Sequence, residues 1–154
     1  MEPLVTSLTV PLRFVVGLLA AGIATLVMDT VMGRITEGET PPRIAAGVLT
    51  GRRPDSAPGG VADAVHYTAG LLTGPLFVWL TLLFEGLVGE SLVTTVIAAV
   101  VLYALMVGFF AGVVLPQSRV RSRRVSAIRR AWATEAAAYV LVLVPIVFVG
   151  SRLL

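Results

Sequence analysis

The chain has 154 residues, of which 56% are hydrophobic and 14% charged, with a formal net charge of +3. A mean hydropathy of +0.92 leaves too few polar side chains to cover the surface of a soluble domain. Because the sequence contains no cysteine, disulfide frameworks, thiolate metal sites and redox thiols are excluded. The composition therefore predicts one domain, residues 1–154, embedded in a membrane.

Four long apolar stretches follow one another along the chain. They cover residues 12–33, 63–88, 92–116 and 127–150. Each reaches the length of about 20 residues that a helix needs to cross a bilayer. The stretches predict an all-α fold, a four-helix transmembrane bundle, in a multi-pass protein of the cell membrane.

Arginine is distributed unevenly among the gaps between these stretches. Ten of the twelve Arg residues lie in the first and third gaps: Arg34, Arg43, Arg52, Arg53, Arg119, Arg121, Arg123, Arg124, Arg129 and Arg130. Since cytoplasmic loops carry an excess of positive charge, both gaps are predicted to be cytoplasmic and both termini outside. The second gap, residues 86–91, is so short that it predicts an antiparallel hairpin.

The first gap, residues 34–62, is a long cytoplasmic loop in this topology. Pro41, Pro42, Pro54 and Pro58 interrupt it, so it cannot form one continuous helix. Residues 43–50 between these prolines predict a short helix in the membrane interface, with Ile44, Val48 and Leu49 facing lipid.

Pairs of small residues four positions apart occur in three of the stretches. They are Gly70 and Gly74, Gly108 and Gly112, and Ala133 and Ala137. Such pairs let two helix backbones approach closely within a membrane. They predict packing inside this bundle, with dimerisation as the alternative.

Three ionisable residues, Asp29, His66 and Glu135, lie inside the apolar stretches near the Arg-rich side. At about 1.5 Å per helical residue, each is roughly 5–8 Å from that boundary. Because charges at membrane depth are costly, the three form a candidate polar cluster that could relay protons, hold a divalent cation or bind a head group. In the alternative interpretation, Asp29 and Glu135 pair with arginines or cap helix ends, and His66 bonds across a helix contact.

The segment 118–130, SRVRSRRVSAIRR, is densely cationic and lies beside a predicted span. Its six arginines are predicted to contact lipid head groups: Arg119, Arg121, Arg123, Arg124, Arg129 and Arg130. Nucleic acid is not the predicted partner, because the segment lacks the aromatic residues on which bases stack.

Two strings in the first half of the chain carry a family resemblance. They are GIATLVMDTVMG at residues 22–33 and HYTAGLLTGPLF at residues 66–77. Together with the intervening loop they resemble small prokaryotic four-helix integral membrane proteins that have no assigned reaction. The resemblance implies a fold and a compartment but no activity.

Motifs of known membrane enzymes are missing, including an HExxH zinc helix and the paired Glu-x-x-His of two-metal bundles. The sequence therefore predicts an accessory or interaction subunit without cofactor or catalysis. Its predicted partners are membrane lipids, and another membrane protein or a second copy. The alternative is a small transporter or proton-coupled carrier using Asp29, His66 and Glu135. A lipid-modifying enzyme ranks third, because no nucleophile or metal site can be named.

Overall fold

The computed structural model describes residues 2–154, and the side chains of residues 9–154. Its helices are α1 (Glu2–Met32), α2 (Thr40–Thr50), α3 (Gly59–Val88), α4 (Leu92–Phe109), α5 (Leu115–Gln117) and α6 (Ser122–Arg152), with a 3-10 turn at Pro54–Ser56 and a π-helix at Phe110–Val114. Within the described residues the structure is all-helical. This confirms the predicted fold class.

Four helical segments are long and apolar enough to cross a membrane. They are Thr9–Met32, Gly59–Val88, Leu92–Gln117 and Ser122–Arg152. The second and fourth begin four or five residues before the predicted apolar stretches. Hydropathy marks only the apolar part of a helix, whereas the backbone hydrogen bonds of α3 and α6 continue into polar sequence.

Helix α1 packs against both α3 and α6, and α4 packs against the same two helices. Arg13, early in α1, donates hydrogen bonds of 2.7 Å to both carboxylate oxygens of Glu85, near the end of α3. Arg152, at the end of α6, lines the same small cavity as this pair. One end of the bundle therefore contains the first part of α1, the α3–α4 turn and the end of α6, and it is called the hairpin end. The opposite end contains helix α2 and is called the α2 end.

The Gly70–Gly74 pair lies at a close crossing of α1 and α3. A Cβ atom on Gly70 would overlap the Thr25 side chain, and one on Gly74 would overlap the Gly17 carbonyl oxygen. The predicted packing within the bundle is thus confirmed for this pair. It is wrong for Gly108 and Gly112, where an added Cβ would have no described atom of a neighbouring helix within 4 Å.

Helix α2 starts at Thr40, three residues earlier than predicted, with Pro41 and Pro42 in its first turn. A first-turn proline removes an N–H group that has no intrahelical partner anyway. Ile44 is fully buried among Phe110, Leu115 and Ile128, so the prediction that it faces lipid is wrong. Leu49 is exposed. One face of α2 therefore closes the α2 end of the bundle.

The Arg-rich segment is helical over most of its length. Only residues 118–121 form a connection before α6 begins at Ser122. Arg123, Arg124, Arg129 and Arg130 thus lie on the first turns of α6, while Arg119 and Arg121 lie in the connection before it. Because the four helical residues occupy different positions around α6, their side chains leave the helix in different directions.

Candidate functional site

The α1–α3 crossing determines which polar residues meet. Thr25 of α1 contacts Gly70 of α3, and the two helices run in opposite directions. One helical turn onward in α1 is Asp29, and one turn back in α3 is His66. Because residues four apart share a helix face, Asp29 and His66 come together at the α2 end of this crossing.

Asp29 accepts two hydrogen bonds from α3. His66 Nε2 lies 2.7 Å from Asp29 Oδ1, and the Tyr67 hydroxyl donates to Asp29 Oδ2 over 2.8 Å. Because the two bonds go to different oxygens of Asp29, the carboxyl group links both aromatic side chains of α3 to α1. The His66 side chain is 9% exposed and that of Asp29 30%. The pair is therefore largely shielded, with the carboxylate nearer the surface.

Glu135 does not take part in this arrangement. It is fully buried, and neither carboxylate oxygen has a hydrogen-bond partner among the described residues. Among those residues, no three His, Asp or Glu side chains are placed to hold one metal ion. The structure thus joins Asp29 to His66 by a hydrogen bond, and Glu135 is not bonded to either.

The alternative pairing with arginine also has no counterpart in the described side chains. Asp29 is bound by His66 and Tyr67, while Arg130 donates through Nε to the Ser126 carbonyl oxygen. The hydrogen bond from His66 to Asp29 crosses a helix contact, as the alternative interpretation expects for the histidine.

An apolar cavity of about 430 Å³ opens beside this pair. Its wall includes side chains from α2, α3, α4, α6 and the π-helix, with only a few polar groups among them. Leu76, Leu105 and Phe109 belong to this wall and are also exposed on the outside of the bundle. The cavity is therefore open sideways between helices rather than sealed.

A second, polar cavity of about 330 Å³ adjoins the α2 end. Its charged lining residues are Asp29, Glu39, Asp63 and Arg43, and Tyr67 is also in its wall. His66 and Pro42 line both cavities. The imidazole of His66 thus lies at the boundary between the apolar cavity and the polar cavity.

Trp132 and Tyr139 are functional candidates that the sequence did not identify. Trp132 Nε1 donates to the Met106 carbonyl oxygen over 3.0 Å, and the Tyr139 hydroxyl donates to the Gly70 carbonyl oxygen over 2.6 Å. Both line the apolar cavity. Their seven-residue spacing, two helical turns on one face of α6, is the signal by which they could have been found.

Arg124 has a structural role that differs from its predicted contact with lipid head groups. Its Nε and Nη2 donate to the two carboxylate oxygens of Glu37, each over 2.8 Å. Its Nη1 lies 3.2 Å from Asp55 Oδ1. One guanidinium therefore ties both parts of the long α1–α3 connection to α6.

The bonds between Arg124 and Glu37 predict that acid lowers the free energy of unfolding. The hydrogen bonds from Arg124 lower the pKa of Glu37 from 4.5 to about 2. Because the folded state lowers this pKa, ionised Glu37 stabilises the protein above about pH 4.5, and that stabilisation is lost as the pH falls toward 2. In thermal unfolding measured across this range, we expect Glu37→Gln to be less stable than the wild type at neutral pH and to converge with it in acid.

Glu39→Gln is the matched control for this experiment, because Glu39 is a nearby, exposed carboxylate. It should leave the difference in melting temperature between neutral pH and acid unchanged. A Glu37→Gln variant that keeps the full acid dependence of the wild type would show that Glu37 is not its source.

Fold and site together define a class: an all-helical bundle with four helices capable of spanning a membrane, and two adjoining cavities at its α2 end. No protein-family model, curated protein sequence or solved structure matches this chain. The likeness to small prokaryotic four-helix membrane proteins therefore stays a prediction.

Proposed function

We propose that this chain is a small multi-pass protein of the cell membrane that binds a zwitterionic phospholipid in its two adjoining cavities. The observation that carries the proposal is the shared boundary of the cavities at His66 and Pro42. An amphipathic molecule needs an apolar space for its chain and a polar space for its head, side by side.

The position of the cavities favours a lipid of the inner leaflet. By the excess of Arg at the α2 end, that end faces the cytoplasm. The apolar cavity opens sideways between α3 and α4, where the surrounding exposed side chains are apolar. Lipid acyl chains would be the nearest molecules to this opening, so a chain can enter without crossing water.

The charges of the polar cavity favour a head group that carries both signs. Three carboxylates, Asp29, Glu39 and Asp63, line it together with the single guanidinium of Arg43. Arg43 can bind a phosphate, while a carboxylate and the exposed ring of Tyr67 can contact an ammonium group. In the carrier hypothesis, this would be the inner-leaflet substrate site.

The proposal can be tested with fluorescence, because the chain has two Trp residues and one, Trp132, lines the apolar cavity. In a Trp79→Phe background, a lysophosphatidylcholine with a brominated chain should quench Trp132 saturably. Ala69→Phe, which fills the cavity, should weaken this binding by about tenfold, a loss of about 1.4 kcal/mol.

Leu72→Phe is the matched control, since Leu72 is 62% exposed and is not among the residues that line the cavity. It should bind as the parent does. Asp29→Asn should weaken binding while the melting temperature stays close to that of the parent. Quenching that does not saturate, or that Ala69→Phe and Leu72→Phe reduce equally, would contradict the proposal.

An accessory or interaction subunit is the second candidate function, favoured by a specific surface. Gly108 and Gly112 leave open space on α4 and the π-helix, flanked by the exposed side chains of Phe109 and Val113. Such a face would admit another helix closely. Native mass spectrometry of the protein extracted from its own membrane distinguishes a stoichiometric partner or dimer from a monomer.

A further inference from the structure

Arg53 and three arginines near the start of α6 converge at the α2 end, although about 65 residues separate Arg53 from the other three. Arg53 precedes the 3-10 turn, Arg119 and Arg121 precede α6, and Arg124 lies in its first turn. All four line a cleft of about 160 Å³, together with Asp55. This cleft contains none of the residues around the Asp29–His66 pair, so it is a separate feature of the molecule.

The cleft is built by contacts that hold its two sides together. Pro54, the first residue of the 3-10 turn, is buried, and Arg124 contacts Asp55 across the cleft. Arg124 is itself fixed by Glu37. These contacts hold the segment that contains Arg53 close to the segment that contains Arg119 and Arg121.

The charge in this cleft is not balanced by the protein. Asp55 and Glu37 offset two of the four guanidinium charges, and both carboxylates are engaged by Arg124. Arg53, Arg119 and Arg121 are exposed and form no ion pair with the described side chains, so each has donors to offer a ligand. The N-terminal end of the long helix α6 adds further positive potential.

We propose that this cleft binds a phosphate group. Guanidinium forks match the oxygens of phosphate in geometry and charge, and the volume admits one phosphate with its neighbouring water. The phosphate can belong to an anionic lipid head group, since basic pockets at the cytoplasmic ends of membrane helices suit such heads, or it can be free in solution. This proposal is independent of lipid binding in the two cavities.

The test compares three purified proteins: the wild type, Arg119→Gln/Arg121→Gln, and Arg123→Gln/Arg129→Gln. Both double variants remove two exposed arginines of the same segment, but only the first pair lines the cleft. Inorganic phosphate is titrated against chloride at equal ionic strength, and the rise in melting temperature gives the apparent affinity. The same proteins are placed in nanodiscs of neutral lipid with or without phosphatidic acid, and retained lipid is counted by native mass spectrometry.

We expect the cleft variant to bind about 30-fold more weakly than the wild type, at about 1 kcal/mol for each arginine, and the control variant to bind as the wild type does. An effect of inorganic phosphate would identify free phosphate as a sufficient ligand. Selective retention of phosphatidic acid without that effect would identify the lipid head group. Equal losses in both double variants, or no response to either ligand, would overturn the proposal.

Discussion

Gly74→Ala is expected to destabilise the protein by at least about 3 kcal/mol, because it overpacks a contact formed by backbone. The new Cβ atom would overlap the Gly17 carbonyl oxygen and lie 2.6 Å from the Ala21 Cβ atom. Neither neighbour can rotate away, so α1 and α3 must separate. Since this crossing also brings Asp29 to His66, lipid binding should weaken along with stability. Thermal unfolding in mild detergent measures the first effect, and quenching of Trp132 the second.

Gly108→Ala is the control for this substitution. It makes the same chemical change inside a helix, but no described atom of a neighbouring helix lies within 4 Å of the added Cβ atom. We expect its melting temperature to equal or slightly exceed that of the wild type, because alanine has the higher helix propensity. Equal destabilisation by both substitutions would mean that the α1–α3 crossing is not specially sensitive.

The second large effect is a gain of stability. Glu135→Met is expected to stabilise the folded protein by about 1–3 kcal/mol, because burying a polar group without a hydrogen bond carries a penalty of that size. Glu135 is fully buried, and both of its oxygens lack a partner among the described residues. Methionine fills a similar volume without that penalty.

Glu135→Gln keeps an unpaired polar group in the same place, so its stability should stay close to that of the wild type. Comparing the stabilities of the two variants separates the effect of side-chain polarity from the effect of side-chain volume. A Glu135→Met protein less stable than both others would indicate that the carboxyl group has a binding partner in the membrane. Such a result would make Glu135 part of a ligand site and revive the carrier hypothesis for this residue.

Counting from the Arg-rich ends predicts a similar depth for Asp29, His66 and Glu135, but it does not predict the direction of each side chain around its helix. The register of α1 against α3, set by Gly17, Gly74 and Gly70, is what makes Asp29 meet His66. Glu135 is on α6, and its carboxyl group has no part in that pair.

The polar segments were the least predictable part of the fold. Arg124 was grouped with five other arginines because the sequence shows only their density. Its bonds to Glu37 and Asp55 span 87 and 69 residues, and local sequence carries no record of such contacts. Likewise, the burial of Ile44 depends on Phe110 and Ile128, which are distant in sequence and contact α2 only through the tertiary packing of the bundle.

The sequence by itself determined that the chain forms four long apolar helices, since helix length and hydropathy are properties of contiguous residues. It also determined the hairpin between the second and third helices and the end at which Arg gathers. Only the tertiary structure decided which side chains share a cavity, because that depends on the crossing and rotation of helices. The Asp29–His66 pair, the isolation of Glu135 and the cleft of four arginines all arise at this level, where contacts join residues far apart in the chain.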